Sequence, residues 1–215
     1  MTTDPDSTEE LLGRAVAGDD SALAALFHQY RRRLRQMVRL RLDRRLQGRV
    51  DPSDVLQEAY LDLKQQFPSF LERREEMPFF LWLRLVTGQR LMRIHRQHLG
   101  AAMRDAGREV SLHRGAIPPA TSESLAARLL GRMTSASELA VRAERQLKLQ
   151  QALNGMDPID REIIALRHFE ELSNAEVAQV LDLSKAAASN RYVRAMTRLQ
   201  AILVRIPGLI DQPES

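Results

Sequence analysis

Between Glu171 and Met196 the chain reads ELSNAEVAQVLDLSKAAASNRYVRAM, two stretches of helical periodicity with only about four residues between them. A connection that short obliges the two helices to pack on each other. Ser173 and Glu176 have the spacing of a capping box, which opens a first helix presenting Val177, Ala178 and Leu181 inward. Ala178 is small where the helices must approach closely. Asp182 stands where such turns often place glycine, and aspartate tolerates the left-handed conformation better than most residues. Ser184 then caps the second helix. Its inward residues are Ala188, Tyr192, Ala195 and Leu199, leaving Lys185, Ala186, Ser189, Asn190, Arg191, Arg194 and Arg198 outward.

This is the pattern of a helix-turn-helix, whose second helix enters the major groove of DNA by its N-terminal end. Small residues at 186 and 187 let the backbone come near base edges. Lys185 and Asn190 can pair with bases, and the arginines can hold phosphates. A plain helical hairpin with a solvated face is the alternative. The stretch from Asp157-Pro158 through IDREIIALRHF supplies the third helix that such a domain needs for a core.

The rest of the chain is helical too. Ser7 with Glu10 reads as a capping box opening a helix that stops at Gly18. A long helix follows Asp20/Ser21, with Leu23, Leu26, Phe27, Tyr30, Leu34, Met37 and Val38 along one face. VDPSDVLQEAYLDLKQQFP places Asp51 as cap, Pro52 at the first helical position and Pro68 as terminator. MPFFLWLRLVTGQRLMRIHRQHLG starts at Pro78 and ends by Gly100. No run alternates with period two long enough for a strand, so the expected fold is all-α. Residues 111–137 contain Pro118-Pro119 and clustered Ser and Thr, and read as a linker with a short helix around Leu125–Leu130. As disordered chain, those 27 residues would average roughly 25–30 Å end to end and could stretch to about 90 Å.

With 215 residues, the chain has room for two small domains. It has no cysteine, which excludes disulfides and thiolate metal sites and fits a reducing cytosol. FFLWL, the longest dense apolar run, is far too short to cross a bilayer, and the acidic MTTDPDSTEE start lacks the layout of a secretory signal. The expectation is a cytoplasmic protein without membrane association. Net charge is +4, and Lys64, Lys148 and Lys185 are the only lysines. Arginine in such excess suits bidentate recognition of phosphate or carboxylate. YRRRLRQMVRLRLDRRLQGR carries nine arginines against Asp43 alone, which suggests a polyanion partner as readily as a solvated face.

Two further helices carry candidate chemistry. On DPSDVLQEAYLDL, Leu56, Ala59, Tyr60 and Leu63 form the buried stripe, while Asp54, Glu58 and Asp62 line up at i, i+4 with Gln57 beside them. Such a row can be a docking strip, a set of metal ligands or a solvated face. Catalysis is disfavoured, because identical spacing along one helix offers no cleft to separate the carboxyl pKa values. Phe79, Trp82, Leu83 and Val86 follow core spacing, after which the helix turns basic at Gln89, Arg90, Arg93 and Arg96. Aromatic residues feeding into a basic helix suit single-strand binding. His95 and His98 lack a third ligand nearby, so no metal site is expected. No phosphate loop, HExxH motif or nucleophile–base pair stands out.

Taken together, these motifs resemble the sigma-70 family of RNA polymerase sigma factors, in its small extracytoplasmic-function (ECF) type. DPSDVLQEAYL is similar to that family's D-x-x-D-L-V-Q-E-x-F helix, which docks on the clamp helices of the polymerase β′ subunit. FFLWLRLVTGQRL resembles its F-x-x-W-L-x-x-I-A-R-N helix, which opens the −10 element. LSNAEVAQVLDLSKAAASNRYVRAMTRL is similar to its L-S-x-x-E-I-A-x-x-L-G-x-S-x-G-T-V-K-S-R-x-x-R-A-x-x-x-L stretch, which reads the −35 element. The resemblance spans about residues 8–100 and 138–204. Gln89 replaces the family asparagine, Arg93 a common aspartate, and KAAAS, Lys185 to Ser189, the family's E-G-T-V-K.

The resemblance implies a sigma2-like helical bundle over 8–110, a flexible linker over 111–137 and a sigma4-like helix-turn-helix domain over 138–206. It implies a transcription initiation factor with no catalytic activity and no cofactor. Asp54, Gln57, Glu58 and Asp62 would face core polymerase. Phe80, Arg84, Gln89, Arg90, Arg93 and Arg96 would meet the −10 element, and Lys185, Ser189, Asn190, Arg191, Arg194 and Arg198 the −35 element. The sequence leaves open whether an anti-sigma factor is a further partner. A free-standing helix-turn-helix regulator is the rival reading, but it gives the acidic and Trp-bearing helices no purpose.

Overall fold

The computed structural model describes residues 5–100, 117–133 and 139–207. Among them the chain forms nine α-helices and no strand, in two compact units that divide between Pro118 and Pro119. The all-α expectation holds.

The first unit is built from α1 (Pro5–Val16), α2 (Asp20–Arg41), α3 (Pro52–Leu71) and α4 (Phe79–Leu99), with a 3₁₀ turn at Arg44–Leu46. Asp19 caps α2, its carboxylate accepting from the Ser21 and Ala22 N–H groups. Asp51 caps α3 in the same way, accepting from Ser53 N–H at 2.6 Å, with Pro52 at the first helical position. Two expected boundaries move. α1 begins at Pro5, whose fixed φ suits a first turn, so Ser7 lies inside the helix rather than capping it. Pro68 does not end α3, which continues to Leu71. A proline there forfeits one backbone hydrogen bond, and the buried Phe67 and Phe70 on either side hold the last turn against α4.

The core of this unit is aromatic. Phe70 stacks on Trp82 with centroids 4.6 Å apart, Phe67 lies 6.1 Å from Trp82, and Phe79 meets Phe70 edge-on at 5.4 Å. Tyr30 joins from α2, 5.1 Å from Phe80. Such pairs each add about 0.5–1.5 kcal/mol beyond the area they bury. Ile117 packs against Gly88 of α4, where an added Cβ would collide with its side chain. Buried Arg41 donates to the Pro118 carbonyl at 2.6 Å.

The second unit comprises α5 (Ser122–Met133), α6 (Leu139–Asn154), α7 (Pro158–Ile164), α8 (Asn174–Leu181) and α9 (Lys185–Val204). α7 widens into a π-helical turn at Ala165–Phe169. Its core contains Leu149, Leu153, Ile163, Leu166, Phe169, Val177, Leu181, Ala188, Ala195 and Leu199. α5 forms where a short helix was expected around Leu125–Leu130, and is longer. It is a twelve-residue helix with Leu125, Ala126 and Leu130 fully buried, and the Ala120 N–H donates to the Glu162 carboxylate at 3.2 Å. A 27-residue free tether therefore overstates the loose chain, since Leu125, Ala126 and Leu130 give 122–133 an apolar face that burial orders. Part of that stretch, 111–116 and 134–137, lies outside the described residues.

Candidate nucleic-acid interface

The turn between α8 and α9 is set by local chemistry. Ser173 accepts from Glu176 N–H at 3.2 Å, and the Glu176 carboxylate accepts from Ser173 N–H at 2.7 Å. Asp182 has φ 54° and ψ 52°, the left-handed conformation expected of it. Ser184 accepts from Ala187 N–H at 3.1 Å and starts α9. The Asn174 side-chain amide donates to the Lys185 carbonyl at 2.9 Å, pinning the first turn of α9 to that of α8. Further along, the Tyr192 hydroxyl lies 3.0 Å from His168 Nε2, tying α9 to the end of the π turn.

Five of the six residues expected to read DNA here share the open part of α9, and they are not equivalent. Lys185, Ser189, Asn190, Arg194 and Arg198 are exposed. Arg191 is half-buried, its guanidinium donating to Asp160 at 3.1 Å and lying 3.6 Å from Asp157. Arg198 also reaches Asp160, at 3.8 Å. Asp160 is buried and meets both Arg191 and Arg198, so the start of α7 holds one side of the basic row, with the cap Asp157 adding a longer contact to Arg191. From sequence, Asp157-Pro158 marks only the start of this helix, and Asp160 carries no expected role. The sole signal was the DPID spacing, which puts both aspartates on the first turn of α7.

In the first unit α3 turns Asp54, Gln57 and Glu58 outward together. Asp62 does not join them. Its side chain is only 8% exposed and is gripped by two arginines of α4: Arg90 by a bidentate pair, Arg93 by a single short contact. The reason is rotation. Each i, i+4 step advances about 40° round the helix, so Asp62 stands about 80° from Asp54 and faces α4. Glu58, midway, reaches Arg90 at 3.3 Å while remaining exposed. Leu61 takes the place beside Glu58 that Asp62 vacates and is 60% exposed. It was not singled out from sequence, although positions 54, 57, 58 and 61 are one helical stripe.

The residues expected on α4 divide likewise. Phe80 is buried under the Arg33 guanidinium, 3.6 Å from its ring centroid, and Arg84 is buried as well. Neither is presented to solvent, because the aromatic residues pair with one another instead of forming an open stacking surface. Gln89, Arg90 and Arg93 are half-exposed, and Arg96 is exposed. His95 is buried, and its Nε2 accepts the Asp43 backbone N–H at 3.2 Å, which keeps that nitrogen unprotonated. Burial pushes its pKa down. Of the nine arginines in the 30–49 run, Arg33 and Arg41 serve the core, and Arg45 pairs with Asp43 at 2.9 Å.

Residues 146–199 match the family model described as Sigma-70, region 4, the segment running from α6 through most of α9. The RNA polymerase sigma factor NccH of Alcaligenes xylosoxydans xylosoxydans is 29% identical over 205 residues, covering 94% of this chain and 97% of that protein. Among solved structures, CnrH in complex with the cytosolic domain of CnrY matches with a TM-score of 0.53 at 20% identity, covering 92% of this chain and 97% of that one. The chain is thus similar to sigma-70 region 4 over residues 146–199 and, over nearly its whole length, to an RNA polymerase sigma factor.

Proposed function

We propose that the chain docks on core RNA polymerase through the outward face of α3, opens the −10 element along α4 and reads the −35 element with α9, without catalytic activity of its own. The observation that carries this reading is the split character of α3. One side is locked into the aromatic core and into Arg90 and Arg93, while the other presents Asp54, Gln57, Glu58 and Leu61 together. A carboxylate–amide stripe around one exposed leucine has the make-up of a docking surface: a small apolar centre within a polar rim. It faces the β′ clamp helices in this assignment. Asp62 acts behind it, fixing the angle between α3 and α4.

On α4 the outer residues Gln89, Arg90, Arg93 and Arg96 take the single strand. The guanidinium has five donors, so pairing with Asp62 leaves Arg90 and Arg93 able to hold a phosphate. Phe80 and Arg84 support this surface from beneath. On α9, Lys185, Ser189 and Asn190 face bases, and Arg191, Arg194 and Arg198 hold phosphates. CnrH was solved with the cytosolic domain of CnrY bound, and that likeness favours an anti-sigma polypeptide as a further partner. Among the described residues no helix is long and apolar enough to cross a membrane.

Run-off transcription with purified core polymerase, with and without the chain, tests the reading. Promoter-specific transcripts should appear only with the chain. Charge reversal of Asp54 and Glu58 to Lys should abolish polymerase binding and leave the helical content unchanged. Unaltered polymerase affinity in that double variant would refute the docking face, and tight binding of the chain alone to duplex DNA would favour the free-standing regulator.

A further inference from the structure

α9 turns one ridge directly away from its packed face. At about 100° per residue, Ala186, Asn190, Val193 and Thr197 all fall within about 40° of the direction opposite Ala188, Ala195 and Leu199, and all four are exposed. Arg191 and Arg198 lie well round to one side, where Asp160 holds them. The ridge that points straight outward is thus a methyl, an amide, a branched apolar group and a hydroxyl, with no long cation. Val193 is 60% exposed, as open as any large apolar side chain described. A lone exposed valine needs no explanation in general. This one sits three residues past Asn190, on the line that a major groove would meet first.

We propose that Val193 is a base-reading residue that packs against the C5-methyl group of a thymine in the −35 duplex. This rests on α9 being the duplex-reading helix. The major-groove edges of the bases carry one apolar group, the thymine methyl, and a branched aliphatic side chain is its natural complement. Asn190 has the amide that pairs bidentately with adenine N6 and N7. Side chains at i and i+3 are about 5–6 Å apart, and base pairs step by about 3.4 Å. Val193 therefore reaches a thymine one or two base pairs from the adenine read by Asn190. The element recognised is A·T-rich at this point, and its recognition there is hydrophobic.

Deoxyuridine differs from thymidine only by that methyl, which gives a direct test. Holoenzyme assembled from core polymerase and the full chain is bound to a promoter recovered by in vitro selection with the same holoenzyme. Each −35 thymine is replaced in turn by deoxyuridine. One replacement should weaken binding roughly three- to fivefold, the worth of one buried methyl. Val193→Ala should lose a similar factor on the thymine promoter and become indifferent to that replacement; alanine favours helix, so circular dichroism should be unchanged. A flat scan, or a sensitive position that stays equally sensitive in Val193→Ala, overturns the assignment. Scrambling the −35 element and Arg194→Ala serve as controls for the underlying reading. If neither changes binding, α9 does not read the duplex and the role of Val193 falls with it. If both do while the scan is flat, the reading stands and Val193 alone is refuted.

Discussion

Both units bring an aspartate against two arginines that sequence pattern alone assigns to nucleic acid, and the two clamps differ in strength. In the first unit Asp62 meets Arg90 bidentately and Arg93 by one contact, with Arg90 itself only 21% exposed. In the second, Asp160 holds Arg191 at 3.1 Å and Arg198 at 3.8 Å, and Arg198 is 62% exposed. The first unit is fastened by buried polar ties between helices distant in sequence. Arg41 on the Pro118 carbonyl and His95 on the Asp43 N–H belong to the same class. Both units also carry caps made within a few residues: Asp19 and Asp51 in the first, and Asp157, Ser173 with Glu176, and Ser184 in the second. An arginine that looks free for phosphate can thus be a structural member in one place and half-committed in another.

The sharpest way to break this contrast is to remove each aspartate. Asp62→Ala leaves two guanidinium groups facing each other at a mostly desolvated site. It should cost about 2–4 kcal/mol in urea unfolding, toward the lower part of the range for a broken buried pair because Arg93 is partly solvated. Asp160→Ala should cost only about 1 kcal/mol, because the arginines left behind, 30% and 62% exposed, keep their charges in water. By freeing Arg191 it should also raise holoenzyme affinity for promoter duplex at low salt and steepen the salt dependence. Equal losses from the two substitutions would erase the distinction.

A weaker effect concerns pH. His95 is neutral in the fold and its pKa is pushed down by burial, whereas the unfolded chain has an ordinary imidazole near 6.5. Below about pH 6.5 the unfolded state binds a proton that the folded state resists, so this contribution is complete above that value and is lost on acidification toward the depressed pKa. Unfolding of the wild type at pH 7.5 and 5.5, set beside His95→Gln, should show the larger acid loss in the wild type. The smallest change lies in the second unit. Asp182→Gly relieves a left-handed aspartate and should stabilise by about 0.5 kcal/mol, measured as a small rise in Tm; a fall would mean that the Asp182 side chain contributes more than its backbone strain costs.

What was legible in advance follows the same division. The caps at Asp51, Ser173 and Ser184, the left-handed Asp182 and the inward set Ala188, Ala195 and Leu199 were all readable. Each depends on residues within about a turn, or on a single helical period. Ser7 was misplaced because an earlier proline can start the helix. Pro68 was misplaced because tertiary packing of Phe67 and Phe70 outweighs one lost hydrogen bond. The helix around Leu125–Leu130 was legible from its apolar spacing, but its full extent, Ser122–Met133, was not, since flanking Pro and Ser/Thr residues blur the ends.

By itself the sequence determined an all-helical chain, the helix-turn-helix with its outward face, and an acidic stripe ahead of an aromatic helix. These rest on spacing and capping, which act over a few residues and need no knowledge of the neighbour. Only the tertiary structure decided which charges stay outside. Asp62 and Arg90 are 28 residues apart, and Asp160 and Arg191 are 31 apart. Whether such groups meet depends on how helices pack and how far each residue is rotated about its axis. A rotation of about 80° along α3 was enough to turn one member of an apparent carboxylate row from the surface into the seam.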